Sequence, residues 1–427
     1  MRILIRDICV VNTEKTIEHA DILIENGMIA DIGEISATRL DTVIEGSGLH
    51  AFPGFIDMHC HLRDPGQTHK EDIESGSRSA AAGGFTTICC MANTQPVADC
   101  AEVLTYIRKR AKEVGAVRLL PIACVTKGME GRELADFASL HSLGAVAVSD
   151  DGSPLMDEKV AQEAILKAQK ADVPIMLHEE ALDLKQGGVM NESEASKKAG
   201  LPGIGADVED RMTERDLDIC ERTGAAIHIC HVSTKGSVEM IRRAKQRGVK
   251  VTCETAPHYF SLTDADAAQI GPDAKMNPPL RGIEDVLAVV RGLRDGTIDA
   301  IATDHAPHSE KEKEKGMLKA PFGIIGFETA FSLVVTNLLK TGEITVNDIS
   351  RLMSLAPASI LRLHGGAVRP GAAADITICD LGEKYVYKKE SIVSKAKNSP
   401  FIGRELMGRV LYTIVEGEVR YDRRSDR

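Results

Sequence analysis

The chain has 427 residues, 52 Lys and Arg against 63 Asp and Glu, a formal net charge of −11 and a pI near 5.7. With 43% hydrophobic and 27% charged residues it is an ordinary globular chain, long enough for one large barrel with an accessory piece. This composition excludes a disordered chain, a collagen and a small disulfide scaffold. The lack of a concentrated basic cluster excludes nucleic acid as a partner, whereas a small anionic substrate needs only one or two placed cations. No segment predicts a membrane span or an export signal. Arg2, Arg6 and Asp7 interrupt the N-terminus, and Arg118 and Pro121 break the apolar run 116–125. Ten cysteines without one Cys-x-x-Cys pair predict free thiols in a reducing, cytoplasmic setting rather than a thiolate zinc site.

In chain order, the first fifty residues carry short β-like runs, 3–5 and 22–24, punctuated by Asn26-Gly27 and Gly46-Ser47-Gly48. Eight apolar runs with polar ends follow: 55–61, 86–93, 119–126, 145–151, 174–179, 226–233, 249–254 and 300–305. Stretches of helical period lie between them, among them 99–114, 158–171, 208–223 and 237–247. Residues 307–323 form a long, charged segment bounded by Pro307 and Pro321. A loop of that length is a functional lid or disorder, and its Glu-Lys alternation at 310–315 predicts solvation. The last sixty residues return to β-like runs at 374–378, 410–415 and 418–421. The expected fold class is therefore α/β. A TIM (β/α)8 barrel spans residues 53–365, and both chain ends, 1–52 and 366–427, assemble a small composite β domain.

Function in such a barrel collects at the C-terminal strand ends. His59 and His61 end the first run, Asp151 the fourth, His178 the fifth, His231 the sixth and Asp304 the eighth. Side chains alternate along a strand, so His59 and His61 share one face and can grip one ion. Imidazole with carboxylate oxygen suits zinc or a similar divalent cation. A lone strand-end histidine is commonly a hydrogen-bonded structural residue, but ligand types on five strand ends together point to a metal centre. The set suffices for two ions sharing a carboxylate. Arg63, two residues beyond His61 and so on the same face by alternation, offers a fork-shaped cation. His19, His50, His69, His141, His228, His258, His305 and His364 read as structural or exposed.

The run His59-Cys60-His61-Leu62-Arg63-Asp64-Pro65-Gly66 after Pro53-Gly54-Phe55-Ile56-Asp57 resembles the opening of the cyclic-amide branch of the amidohydrolase superfamily. More narrowly, it resembles bacterial dihydroorotases of the long type. Further matches lie at 91–96 (MANTQP), 254–259 (ETAPHY), 275–281 (KMNPPLR), 303–308 (TDHAPH), 370–376 and 399–401. Ala92, where the family usually has Pro, and Ala356-Pro357-Ala358, where Asn-Pro-Ala is common, depart from the pattern at positions without a ligand role.

The resemblance implies two zinc ions, the second partly occupied: His59 and His61 with Asp304 on one, His178 and His231 on the other, Asp151 bridging. Asp150 stays an alternative bridge, since only parity and family register separate the two. It implies that Asp304 moves the proton. Arg63, Asn93 and His308 would hold the substrate carboxylate, with His61 alongside. Asn277 would contact the ring, and Phe322 and Gly323 would present backbone groups to it. The implied reaction is the reversible cyclisation of N-carbamoyl-L-aspartate to L-dihydroorotate plus water, with a homo-oligomer or an aspartate carbamoyltransferase association left open. Allantoinases and hydantoinases, the nearest rivals, bridge their metals with a carboxylated lysine, and residues 145–152 contain no lysine. A non-catalytic dihydroorotase-like scaffold would have lost ligands, yet all six and Arg63 are present.

Overall fold

The eight predicted barrel runs pair in sequence order, all in parallel. In a computed structural model, which describes residues 1–424, the first strand (Phe55–Cys60) pairs with the second (Phe85–Cys90), and the second with the third (Arg118–Pro121). Residues 425–427, assigned to the C-terminal β segment by the sequence reading, lie outside the described residues. The fourth run shrinks to bridges in which Val148 meets Ala123 on one side and Ile175 on the other. The fifth (Met176–Leu177), sixth (Ile227–Ile229), seventh (Val251–Thr255) and eighth (Ala300–Ile301) strands continue the circuit. His61 N–H donates to the His305 carbonyl at 2.8 Å and closes the ring. The strands are shorter than predicted because Pro121 and Pro174 lack the N–H a ladder needs, and because the polar ends leave extended geometry.

Met58, Cys89, Met91, Ile122, Ala147, Met176, Cys230 and Ala300 fill the barrel interior. Alternate residues, such as Ile88, Leu119, Ile175, Ile229 and Ile301, face outward into the larger core. The helices covering them include Ala101–Val114, Glu158–Ala171, Asp207–Thr223 and Lys235–Gln246, each within two residues of its predicted start.

Both chain ends share one eight-stranded sheet. Its order runs Glu418–Asp422, Glu405–Val415, Ile376–Val386, His50–Pro53, Arg2–Val11, Thr16–Glu25, Met28–Gly33, with Thr42–Glu45 also beside Arg2–Val11. The two halves join where His50–Pro53 pairs antiparallel with Ile376–Val386 and parallel with Arg2–Val11. Phe52 of this sheet packs on Phe55 and Phe331, with ring centroids 5.9 and 6.0 Å apart, so the sheet and the barrel share apolar surface.

The segment 307–323 is ordered and carries two short helices, Glu310–Lys313 and Gly316–Lys319. Its charge pattern misleads at one position. Lys313 is buried, and its Nζ donates to the carbonyls of Lys275 (3.2 Å) and Pro321 (3.0 Å). Those acceptors replace the water the sequence reading gave it. All ten cysteines are free, and among the described residues no helix is long and apolar enough to cross a membrane.

Candidate active site

The six strand-end residues converge on one buried point. Asp151 lies at its centre: Oδ1 is 3.4 Å from His59 Nε2, 3.2 Å from His178 Nδ1 and 3.3 Å from His231 Nε2, and Oδ2 is 3.4 Å from His61 Nε2. Asp304 Oδ1 stands 3.2 Å from His61 Nε2 and 3.7 Å from His59 Nε2. Two trios of donors, His59–His61–Asp151 and Asp151–His178–His231, each gather their ligand atoms within 4.8 Å, and Asp151 belongs to both. Asp150 turns away. Its carboxylate accepts the backbone N–H groups of Val125 (2.7 Å) and Thr126 (3.1 Å) and the Thr126 hydroxyl.

Three of the converging side chains leave strand geometry to arrive. Arg63, His231 and Asp304 have φ of +60°, +38° and +46°, a region that costs a non-glycine residue about 1–3 kcal/mol. Strand parity therefore cannot place Arg63, because the first strand ends at Cys60. The guanidinium reaches the site by turning back: Nε donates to Pro307 O at 3.2 Å, and Nη2 lies 3.3 Å from His308 Nε2. Arg63 is 9% exposed, and among the described residues no carboxylate oxygen lies within 4.0 Å of it. Burial draws its pKa down to about 10, against the pull of Asp304 and Asp151, so the cation persists at neutral pH.

The remaining predicted residues line the same basin. Asn93 Oδ1 accepts from His61 Nδ1 at 2.9 Å, and its amide nitrogen donates to Asp151 O at 3.4 Å. Asn277 Nδ2 is 3.5 Å from His178 Nε2. His308 Nε2 donates to Phe322 O at 2.8 Å. Gly323 also has partners within the chain. Its N–H already donates to Lys275 O at 2.9 Å and its carbonyl accepts from Asn398 Nδ2 at 3.0 Å. A Cβ there would meet Ala306 O at 2.6 Å, so the close approach of the chain to itself already requires glycine.

Two carboxylates that the sequence reading passed over contact imidazoles of the cluster. Glu254 Oε1 accepts from His59 Nδ1 at 2.8 Å, and Glu180 Oε2 lies 3.3 Å from His178 Nε2. Glu254 ends the seventh run and Glu180 follows His178 by two residues, so polar strand-end position was the available signal. Cys230 and Glu254 also stand near His59 as a third trio of donors, with Glu254 already engaged by that ring.

The donor set fits a divalent ion. His59 Nε2 is fully buried without a hydrogen-bond partner, although it faces two carboxylates. Burial works against charge on His59, but Asp151 outweighs it and holds the imidazole well above its ordinary pKa. The same contest, with Asp151 and Glu180, carries His178 up to about 9. Four imidazoles around one central carboxylate, with Asp304 beside them, form a donor set of the kind that holds divalent cations.

Residues 49–237 match the family model described as Dihydro-orotase-like. Over 399 residues the chain is 48% identical to the dihydroorotase of Acetivibrio thermocellus, covering 93% of this chain and 94% of that one. Over 423 residues it is 46% identical to the dihydroorotase of Citrifermentans bemidjiense, covering 99% and 100%. The chain belongs to the dihydroorotase family. Among solved structures this dihydroorotase-family chain is similar to the L-hydantoinase (dihydropyrimidinase) of Arthrobacter aurescens, with a TM-score of 0.87, 25% identity, and coverage of 98% and 96%. It also resembles the dihydropyrimidinase of Brevibacillus agri (TM-score 0.83, 21% identity, coverage 98% and 95%), a likeness of fold alone. Dihydroorotases and hydantoinases are metal-dependent, in keeping with the buried donor trios of this chain.

Proposed function

We propose that the protein interconverts L-dihydroorotate and N-carbamoyl-L-aspartate, with His59, His61, Asp304 and Asp151 around one zinc ion and His178, His231 and Asp151 around a second. The observation that carries this reading is Arg63. A buried guanidinium with no carboxylate partner among the described residues, beside two metal-type trios, calls for an anionic substrate. Among cyclic amides, dihydroorotate brings a carboxylate next to the ring.

Bound at these donors, divalent ions lower the pKa of water and polarise a carbonyl. The chain's own residues do the rest. Arg63 takes the substrate carboxylate in a bidentate grip, with the Asn93 amide nitrogen and the His308 ring beside it, and this fixes which carbonyl faces Asp304. His61 and His59 hold the Asp304 carboxyl down at about 2 against the opposing effect of burial, so it is ionised and able to accept a proton. Asp304 accepts the proton of the attacking water and returns it to the ring nitrogen that leaves as the ureido NH2. In the cyclisation direction the same oxygen takes that proton first. The segment 307–323 reaches this basin through Pro307 and His308, which contact the Arg63 guanidinium.

Arg63→Met tests the reading. Removing one member of a buried charge pair should raise the barrier for dihydroorotate by about 2–5 kcal/mol in kcat/KM. Zinc content, measured by atomic absorption, should stay at the wild-type level because Arg63 is no ligand. Unchanged KM and kcat/KM would place the carboxylate elsewhere.

A further inference from the structure

The Glu254–Tyr259 motif stands out in the sequence, and of its residues only Glu254 has been placed so far, by its contact with His59. Its first residue lies below the metal-type donors, inside the barrel, with its carboxylate almost wholly buried. Glu254 Oε1 accepts from His59 Nδ1 at 2.8 Å, and Glu254 Oε2 faces His228 Nε2 at 3.4 Å. His228 is buried as well, and its Nδ1 is held by Thr252 Oγ1 at 2.9 Å. The sixth and seventh strands set this spacing, since His228 pairs with Thr252 in parallel register. The result is a single line, Thr252–His228–Glu254–His59, running up the barrel to the imidazole whose Nε2 faces Asp151 and Asp304 without a hydrogen bond.

We infer that Glu254 is a positioning residue for His59, and that His228 positions Glu254 in turn. A hydrogen bond on Nδ1 fixes the His59 tautomer, so Nε2 is the nitrogen left with a lone pair, aimed at Asp151 and Asp304. A carboxylate on the rear nitrogen also makes the imidazole a stronger donor than a neutral acceptor would. The neighbouring ring shows the contrast, because His61 Nδ1 has only the Asn93 amide oxygen behind it. His228 completes the arrangement: its Nε2 and Glu254 Oε2 are both buried without a hydrogen bond and face each other at 3.4 Å, so an electrostatic contact holds that end of the carboxylate. The inference rests on the metal-holding part of the proposed function but not on the identity of the substrate.

The test is a zinc affinity measured by chelator competition on folded protein, without substrate. Glu254→Gln keeps the shape and removes the charge, and should weaken zinc binding roughly 10–100-fold. Activity should return when zinc is added in excess, with KM for dihydroorotate unchanged. Glu254→Asp, which keeps the charge but shortens the reach, should fall between Gln and wild type. His228→Gln should weaken binding less than Glu254→Gln, and the double variant should lose no more than Glu254→Gln alone, because His228 acts through Glu254. Wild-type zinc affinity in folded Glu254→Gln would overturn the inference, as would losses that simply add in the double variant. A protein that binds zinc in this pattern but does not turn over dihydroorotate would leave the inference standing and defeat the proposed substrate. A wild-type chain without competitive zinc affinity would defeat both.

Discussion

Asp304→Asn is expected to lower turnover by roughly 10²–10⁴-fold, the usual worth of a positioned acid–base group. The amide keeps an oxygen for an ion but no longer accepts a proton. Because that oxygen is also a poorer ligand, zinc content is measured on the same samples, and the effect is read at full occupancy. The loss should appear in both directions of the reaction, since one oxygen accepts the proton in hydrolysis and in cyclisation. A zinc-loaded Asp304→Asn with near-normal turnover would remove Asp304 from the proton path.

Asp151→Ala is expected to abolish tight zinc binding and most activity together. Four imidazole nitrogens lie within 3.4 Å of its two oxygens, and among the described residues no other carboxylate belongs to both trios. Asp150→Ala should keep its zinc, because the Asp150 carboxylate serves the 125–126 backbone instead. Its cost should appear in thermal stability, as two buried N–H groups lose their acceptor. The bridge also has a chemical signature. A lysine bridge must capture dissolved carbon dioxide before the centre assembles, whereas Asp151 brings its carboxylate ready-made. Apoprotein freed of bicarbonate should therefore regain full activity with zinc alone. Dependence on added bicarbonate, or a larger zinc loss from Asp150→Ala than from Asp151→Ala, would mean that the bridge is wrongly assigned.

Much of this site was legible in the residues because the barrel geometry reports itself twice. Apolar runs of strand length mark the walls, and the polar residues ending them mark one rim. His59 and His61 could be placed on one face by alternation alone. Other features had no such signal. Arg63, His231 and Asp304 adopt left-handed φ, which a sequence does not announce at non-glycine positions, so alternation reached the right neighbourhood for Arg63 through a wrong local geometry. Glu254 looks like any polar strand end until the seventh strand is seen beside the first barrel histidine. Lys313 reads as solvated in a Glu-Lys run, and only the folded segment shows the two carbonyls that receive it. Gly323 matched a family position, but the atom that demands glycine there is a backbone oxygen seventeen residues earlier, at Ala306.

The central claim is that a buried, unpaired arginine selects a cyclic amide by its carboxylate. The most direct measurement compares kcat/KM of the zinc-loaded protein for L-dihydroorotate and for dihydrouracil, the same ring without the carboxylate. The structure predicts turnover of dihydroorotate and a value for dihydrouracil lower by at least the about 2–5 kcal/mol of a broken buried pair. Arg63→Met should narrow that gap by slowing dihydroorotate alone. Equal values for the two rings, or a preference for dihydrouracil, would contradict it.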